Sequence, residues 1–89
     1  MIERELVVSN RLGLHARATA KLVQLLSGYK CSATLLAKGR EINAKSIMGV
    51  MLLAAGQGTP VTLRVEGEDE AAAADAVQSL FERRFDEGA

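Results

Sequence analysis

Strand-like and helix-like hydrophobic periods alternate along this chain, and their order limits the folds that it can adopt. Pro60–Glu66 alternates apolar and polar residues and begins with a proline, which is tolerated at the first residue of a strand. Glu3–Val8 shows the same period of two. Residues 31–37 and 40–43 flank Lys38-Gly39, a pair that tolerates positive φ, so they predict a β-hairpin.

Three segments between and after these strands have helical spacing instead. They are expected from about residue 16 to 27, from 47 to 55, and from 69 to about 85. Residues 86–89 are expected to form a frayed acidic tail. Ser46 precedes the second segment, and its hydroxyl is predicted to cap that helix. The order βαββαβα predicts a single α+β domain over residues 1–89, in which three helices cover one face of a four-stranded antiparallel sheet.

Composition excludes several classes of function. Eleven Lys and Arg balance eleven Asp and Glu, and only three aromatic residues are present, so we expect no nucleic-acid binding. No apolar run approaches the roughly 20 residues that cross a bilayer, and Met1–Glu5 does not resemble a signal peptide. We therefore expect a cytoplasmic protein without membrane insertion. Cys31 is the only cysteine, which excludes an internal disulfide, and no Cys/His cluster predicts a metal or cofactor.

The only histidine, His15, lies where a turn is expected to pass into the first helix. A helix start has unpartnered N–H groups and partial positive charge, which stabilise an anion on a nearby side chain. The same field disfavours an imidazolium, so a ring nitrogen is free to act as a nucleophile. Arg17 could pair with phosphate oxygens through its planar guanidinium. Without further context, His15 could equally be an ordinary capping histidine, and Arg17 a solvated residue of the first turn.

Two motifs in this element order resemble the HPr family of bacterial phosphocarrier proteins. They are Leu12-Gly13-Leu14-His15-Ala16-Arg17 and Asn43-Ala44-Lys45-Ser46-Ile47-Met48-Gly49-Val50-Met51. The resemblance spans nearly the whole chain and implies an open-faced β-sandwich. It implies that His15 accepts a phosphoryl group on Nδ1, beside Arg17 and the helix-start amides. The group would come from phosphoenolpyruvate through enzyme I and pass to IIA-type acceptors.

This resemblance implies a carrier that performs transferase-type chemistry through a phosphohistidine, rather than a stand-alone enzyme. The carrier could serve either sugar uptake or a nitrogen-related branch of the family. Ala18 departs from the family, in which a proline often follows the arginine and presets the first helical turn. The resemblance also implies regulatory phosphorylation of Ser46, with HPr kinase/phosphorylase as a further partner. An alternative is a mainly regulatory docking domain, controlled by Ser46, with little turnover at His15. Another is an RNA-binding module that shares only the topology.

The second helix is predicted to carry a docking surface, because it is too apolar to be buried on all sides of so small a domain. Val50 and Leu53 suit the core. The expected docking residues are Ile47, Met48 and Met51, extended by Ala20 on the first helix. The simpler interpretation is that this helix is well buried. We expect a monomer that binds its partners through this surface.

Overall fold

The computed structural model describes residues 1–87 and contains the predicted elements in the predicted order. The strands are β1 (Ile2–Val7), β2 (Ser32–Ala37), β3 (Arg40–Asn43) and β4 (Pro60–Glu66), and the helices are α1 (Ala16–Ser27), α2 (Ile47–Leu52) and α3 (Glu70–Glu82). A 3-10 turn, Arg84–Asp86, follows α3. The hairpin turn between β2 and β3 has φ of 53° at Lys38 and 75° at Gly39, as the sequence predicts.

All strand pairs are antiparallel, in the order β1-β4-β2-β3. Apolar and polar residues alternate along the strands, so one face of the sheet is apolar and covered and the other is polar and solvated. Leu35 and Leu63 pair on the buried face, whereas Arg64 on the open face bonds to Glu3 and Glu41 of the two edge strands. The predicted α+β sandwich is therefore confirmed.

The helices bury their apolar stripes against the covered face of the sheet. Fully buried side chains include Leu22 and Leu26 of α1, Val50 of α2, and Val77 and Phe81 of α3. They belong to one continuous hydrophobic cluster. Among the described residues, no helix combines the length and apolarity needed to cross a membrane.

The end of the chain differs from the sequence-based expectation. The third helix was predicted to reach about Phe85 and to be followed by a frayed acidic tail from residue 86. Instead, α3 ends at Glu82, and Phe85 is fully buried against Phe81, with ring centroids 4.9 Å apart. This contact fixes the following Asp86 and Glu87 against the rest of the protein. Residues 88 and 89 of the expected tail lie outside the described part.

Candidate functional site

The loop between β1 and α1 makes a sharp turn at Gly13, where φ is +68°. A Cβ at this position would lie 2.5 Å from the carbonyl oxygen of Ala55 and 2.7 Å from Cα of Gly56. The next residue, Leu14, donates its N–H to that same Ala55 oxygen at 2.9 Å and buries its side chain. Only glycine therefore fits this turn, which holds His15 at a fixed place next to the segment that follows α2.

His15 is the N-cap of α1 and has extended backbone angles. Its Nδ1 accepts the backbone N–H of Arg17 at 3.3 Å, and its carbonyl oxygen accepts the N–H of Thr19 at 2.9 Å. Ala18 continues the helix in the absence of a proline, and its side chain is fully buried. The sequence prediction that the histidine stands at the helix start is therefore confirmed.

The other ring nitrogen, Nε2, lies 2.6 Å from Oε2 of Glu87. Because Nδ1 accepts a hydrogen bond, the proton of the neutral ring is on Nε2, which donates to the carboxylate. The second oxygen of Glu87 accepts from Nδ2 of Asn10 at 3.0 Å. The Nδ1 lone pair meets only a long hydrogen bond from an amide, so it is the available nucleophile of the ring.

The charge of Glu87 is maintained by these contacts. Burial alone would raise the pKa of its carboxyl group, but the hydrogen bonds from Asn10 and His15 and the electrostatic attraction to His15 and Lys21 outweigh burial. The pKa of Glu87 is therefore below its ordinary value, and the group is an anion at neutral pH. The side chains of His15 and Glu87 are 29% and 13% exposed, so a partner can reach the ring while the carboxylate is largely covered.

Arg17 is exposed, and within residues 1–87 its guanidinium has no hydrogen bond or salt bridge. It lines an open depression together with His15 and the side chains of Arg11, Leu12 and Lys21. A guanidinium without a partner beside a nucleophilic nitrogen can bind the oxygens of an incoming phosphoryl group.

Ser46 is the N-cap of α2, as predicted: its Oγ accepts the N–H of Gly49 at 3.1 Å. Val50 of α2 is completely buried, and Leu53, the C-cap just after the helix, is nearly so. These were the two expected core residues. The other side of the helix is exposed.

The predicted docking residues of α2 are all on this exposed side. Met48 is 76% exposed, and Ile47 and Met51 are about half exposed. Ala20 is half-buried on α1, which packs against α2. Two further leucines are exposed and were not among the predicted docking residues: Leu52 of α2, and Leu12 in the loop before His15. Leu12 projects because the neighbouring Leu14 fills the apolar space under the loop.

Sequence reasoning also missed Glu87 and Lys21 as parts of the site. The Nζ of Lys21 donates to the carbonyl oxygen of Phe85 at 2.8 Å and so holds the C-terminal turn beside α1. No periodic pattern links residues so far apart in the chain. The one available signal was the placement of an apolar residue, Phe85, just before two acidic ones.

Fold and site together define a small α+β sandwich protein that presents its histidine at a helix start, with one ring nitrogen available to a partner. Residues 2–83 match the family model described as "PTS HPr component phosphorylation site". The phosphocarrier protein HPr of Xylella fastidiosa (strain 9a5c) is 63% identical over 87 residues, with 98% of each chain covered. A crystal structure of HPr-C-His from Thermoanaerobacter tengcongensis has a TM-score of 0.95 at 40% identity, covering 98% of both chains. The chain belongs to the HPr family of phosphocarrier proteins, components of the phosphotransferase system (PTS).

A crystal structure of an HPr dimer from the same Thermoanaerobacter species is also similar. Its TM-score is 0.76 at 40% identity, covering 96% of this chain and 98% of that one. Dimeric structures therefore occur among the relatives of this chain.

Proposed function

We propose that this chain carries a phosphoryl group on Nδ1 of His15, accepting it from phosphorylated enzyme I and passing it to IIA-type proteins. The observation that carries the proposal is the orientation of the ring. Its protonated nitrogen is turned to Glu87, and its lone pair is turned to the start of α1. Membership of the phosphocarrier family supports the same function.

The transfer needs little covalent chemistry from the protein beyond positioning and charge stabilisation. The Nδ1 lone pair attacks phosphorus while the bond between phosphorus and the donor breaks, and the donor keeps that electron pair. The N–H group of Arg17 then turns from Nδ1 to a phosphoryl oxygen, and the guanidinium of Arg17 pairs with the others. Onward transfer reverses these steps with the acceptor as nucleophile. The residues thus act as a relay between donor and acceptor.

The apolar side of α2 is proposed to receive both partners. Met48 and Met51 are flexible side chains that adapt to different surfaces, and Ile47 adds apolar area beside them. Ala20 on α1 leaves room for a partner's side chains. One surface shared by donor and acceptor would make their binding mutually exclusive, as a relay requires.

Phosphorylation of Ser46 by an HPr kinase/phosphorylase is proposed as a control on this docking. The hydroxyl caps α2 next to Ile47 and Met48, so a phosphate there would add nearly two negative charges to the edge of the apolar surface. A helix start tolerates an anion, so partner binding should weaken more than the fold. An acid-stable phosphate formed with ATP and absent from Ser46→Ala would support this control.

We further propose that the protein acts in the cytoplasm as a single-domain monomer over residues 1–89. Sedimentation at micromolar concentration tests the monomer against the dimeric arrangement of the Thermoanaerobacter relative. A dimer that persists on dilution would contradict it.

The transfer itself is tested by incubating the protein with enzyme I and phosphoenolpyruvate. The intact mass should rise by one phosphoryl group, and acid should remove it, because a phosphoramidate is acid-labile. His15→Ala should gain nothing, whereas Ser46→Ala should gain the group normally. An adduct on His15→Ala, or none on the wild type, would refute the proposed function.

A further inference from the structure

The Glu87 carboxylate forms a chain of hydrogen bonds with two other side chains of the site. One oxygen accepts from His15 Nε2 at 2.6 Å and the other from Asn10 Nδ2 at 3.0 Å. A hydrogen bond to a charged group is short and stronger than one between neutral groups, so this contact fixes the plane of the imidazole as well as its tautomer.

Asn10 is built to hold the carboxylate. It is fully buried, and its amide nitrogen donates both to Glu87 and to the carbonyl oxygen of Gly13 at 2.7 Å. Both partners are acceptors, so only the nitrogen of the amide fits between them. Its Oδ1 is buried without a partner among the described residues. Burying an oxygen without a hydrogen bond costs stability, so such a side chain is kept where its other atoms have a role.

The C-terminal turn brings Glu87 to the ring at a conformational cost. Arg84, Phe85 and Asp86 have φ of 55°, 56° and 60°, a left-handed conformation that is unfavourable for residues other than glycine. Such a turn persists only where its surroundings over-determine it. Here the buried Phe85 ring and the bond from Lys21 to the Phe85 carbonyl hold it.

We infer that Glu87 is a positioning residue for phosphoryl transfer, oriented in turn by Asn10; this inference rests on the proposed function of His15. The carboxylate keeps the proton on Nε2, so that Nδ1 presents its lone pair to phosphorus. When the N–P bond forms, positive charge develops on the ring, and the carboxylate stabilises it at Nε2. The proton remains on Nε2, so the step needs no separate base. On release of the phosphoryl group, the electron pair returns to Nδ1 and the ring is ready again.

Three variants test this role. Glu87→Ala removes the acceptor of both hydrogen bonds. Glu87→Gln keeps the size of the side chain but places an amide NH₂ against one of the two donors, His15 Nε2 or Asn10 Nδ2, so glutamine should not restore the function. Asp86→Asn is the matched control, because it removes a carboxylate one residue away that contacts Arg83 and Lys21 but not the ring.

The first measurement is NMR of the ring in the unphosphorylated protein. We expect a slowly exchanging proton on Nε2 of His15 in the wild type and in Asp86→Asn, and its loss from Glu87→Ala, which has no acceptor for it. The second is the rate of phosphoryl acceptance from phosphorylated enzyme I. For both Glu87 variants, kcat should fall about 10-fold with little change in KM, since the exposed docking side chains are untouched.

A purely structural role of Glu87 would lower the melting temperature without changing the ring signal of the folded protein. If the folded Glu87→Ala protein keeps the protected Nε2 proton and the wild-type kcat, the positioning role is wrong, while the carrier function stands. If the wild type accepts no phosphoryl group, the carrier function itself fails, and the positioning role in transfer fails with it.

Discussion

Replacing Gly13 by alanine should destabilise the protein through a clash at the turn before His15. Two costs combine. A left-handed conformation costs alanine roughly 1 kcal/mol, after allowance for the lower entropy of its unfolded chain. The added Cβ would lie 2.5 Å from a backbone oxygen and 2.7 Å from a backbone carbon, neither of which can rotate away. Opening such an overpacked contact costs a further 1–3 kcal/mol or so, giving roughly 2–4 kcal/mol in total.

Gly39 provides a matched control for this substitution. Its φ of +75° is close to that of Gly13, but a Cβ there would meet nothing within 4 Å. Gly39→Ala therefore incurs only the conformational cost of roughly 1 kcal/mol. Urea unfolding at neutral pH, followed by circular dichroism, should separate the two variants by about 2 kcal/mol in the free energy of unfolding. Equal losses would show that the close approach of Gly13 to Ala55 and Gly56 does not exist in solution.

Three further predictions have distinct expected outcomes. Met48→Glu should weaken binding to enzyme I, measured by calorimetry, and barely change the melting temperature. Val50→Ala, two residues further along the helix on its buried side, should cost about 2 kcal/mol of stability. A large stability loss at Met48 would place that residue in the core. Ser46→Ala should cost about 1 kcal/mol in urea unfolding because α2 loses its N-cap, and an unchanged midpoint would contradict the capping bond. Asp69 accepts the N–H of Lys30, and this hydrogen bond holds the pKa of the Asp69 carboxyl below the ordinary value of 3.8. The ionised carboxylate therefore stabilises the fold above about pH 4, and this stabilisation is lost as the pH falls through the pKa of the folded state. The difference in free energy of unfolding between wild type and Asp69→Asn should therefore be largest at pH 7 and shrink towards pH 2. A difference that grows in acid would contradict the lowered pKa of Asp69.

Local patterns were sufficient to predict the elements of this fold. The alternation in Pro60–Glu66, the capping hydroxyl of Ser46 and the glycine of the β2–β3 turn each act through neighbours in the chain, so their effect can be recognised without knowing the tertiary structure. The placement of His15 at a helix start follows from the same kind of signal.

The missed part of the site depends on contacts between distant segments. The sequence predicted that α3 ends near Phe85, because the residues after Glu82 have a composition that favours a helix. In the structure, burial of Phe85 against Phe81 favours a left-handed turn there instead. That tertiary contact brings Glu87 to His15, 72 residues earlier in the chain. The exposure of Leu12 also depends on tertiary packing, because only packing decides whether Leu12 or Leu14 fills the core.

The atom that carries the phosphoryl group is the most direct test of the proposed relay. NMR of the ¹⁵N-labelled protein, phosphorylated by enzyme I and phosphoenolpyruvate, can detect the coupling between phosphorus and a ring nitrogen. The orientation of His15 predicts that phosphorus is bonded to Nδ1, with a proton retained on Nε2. Phosphorus on Nε2, or on a residue other than His15, would contradict the account of this site.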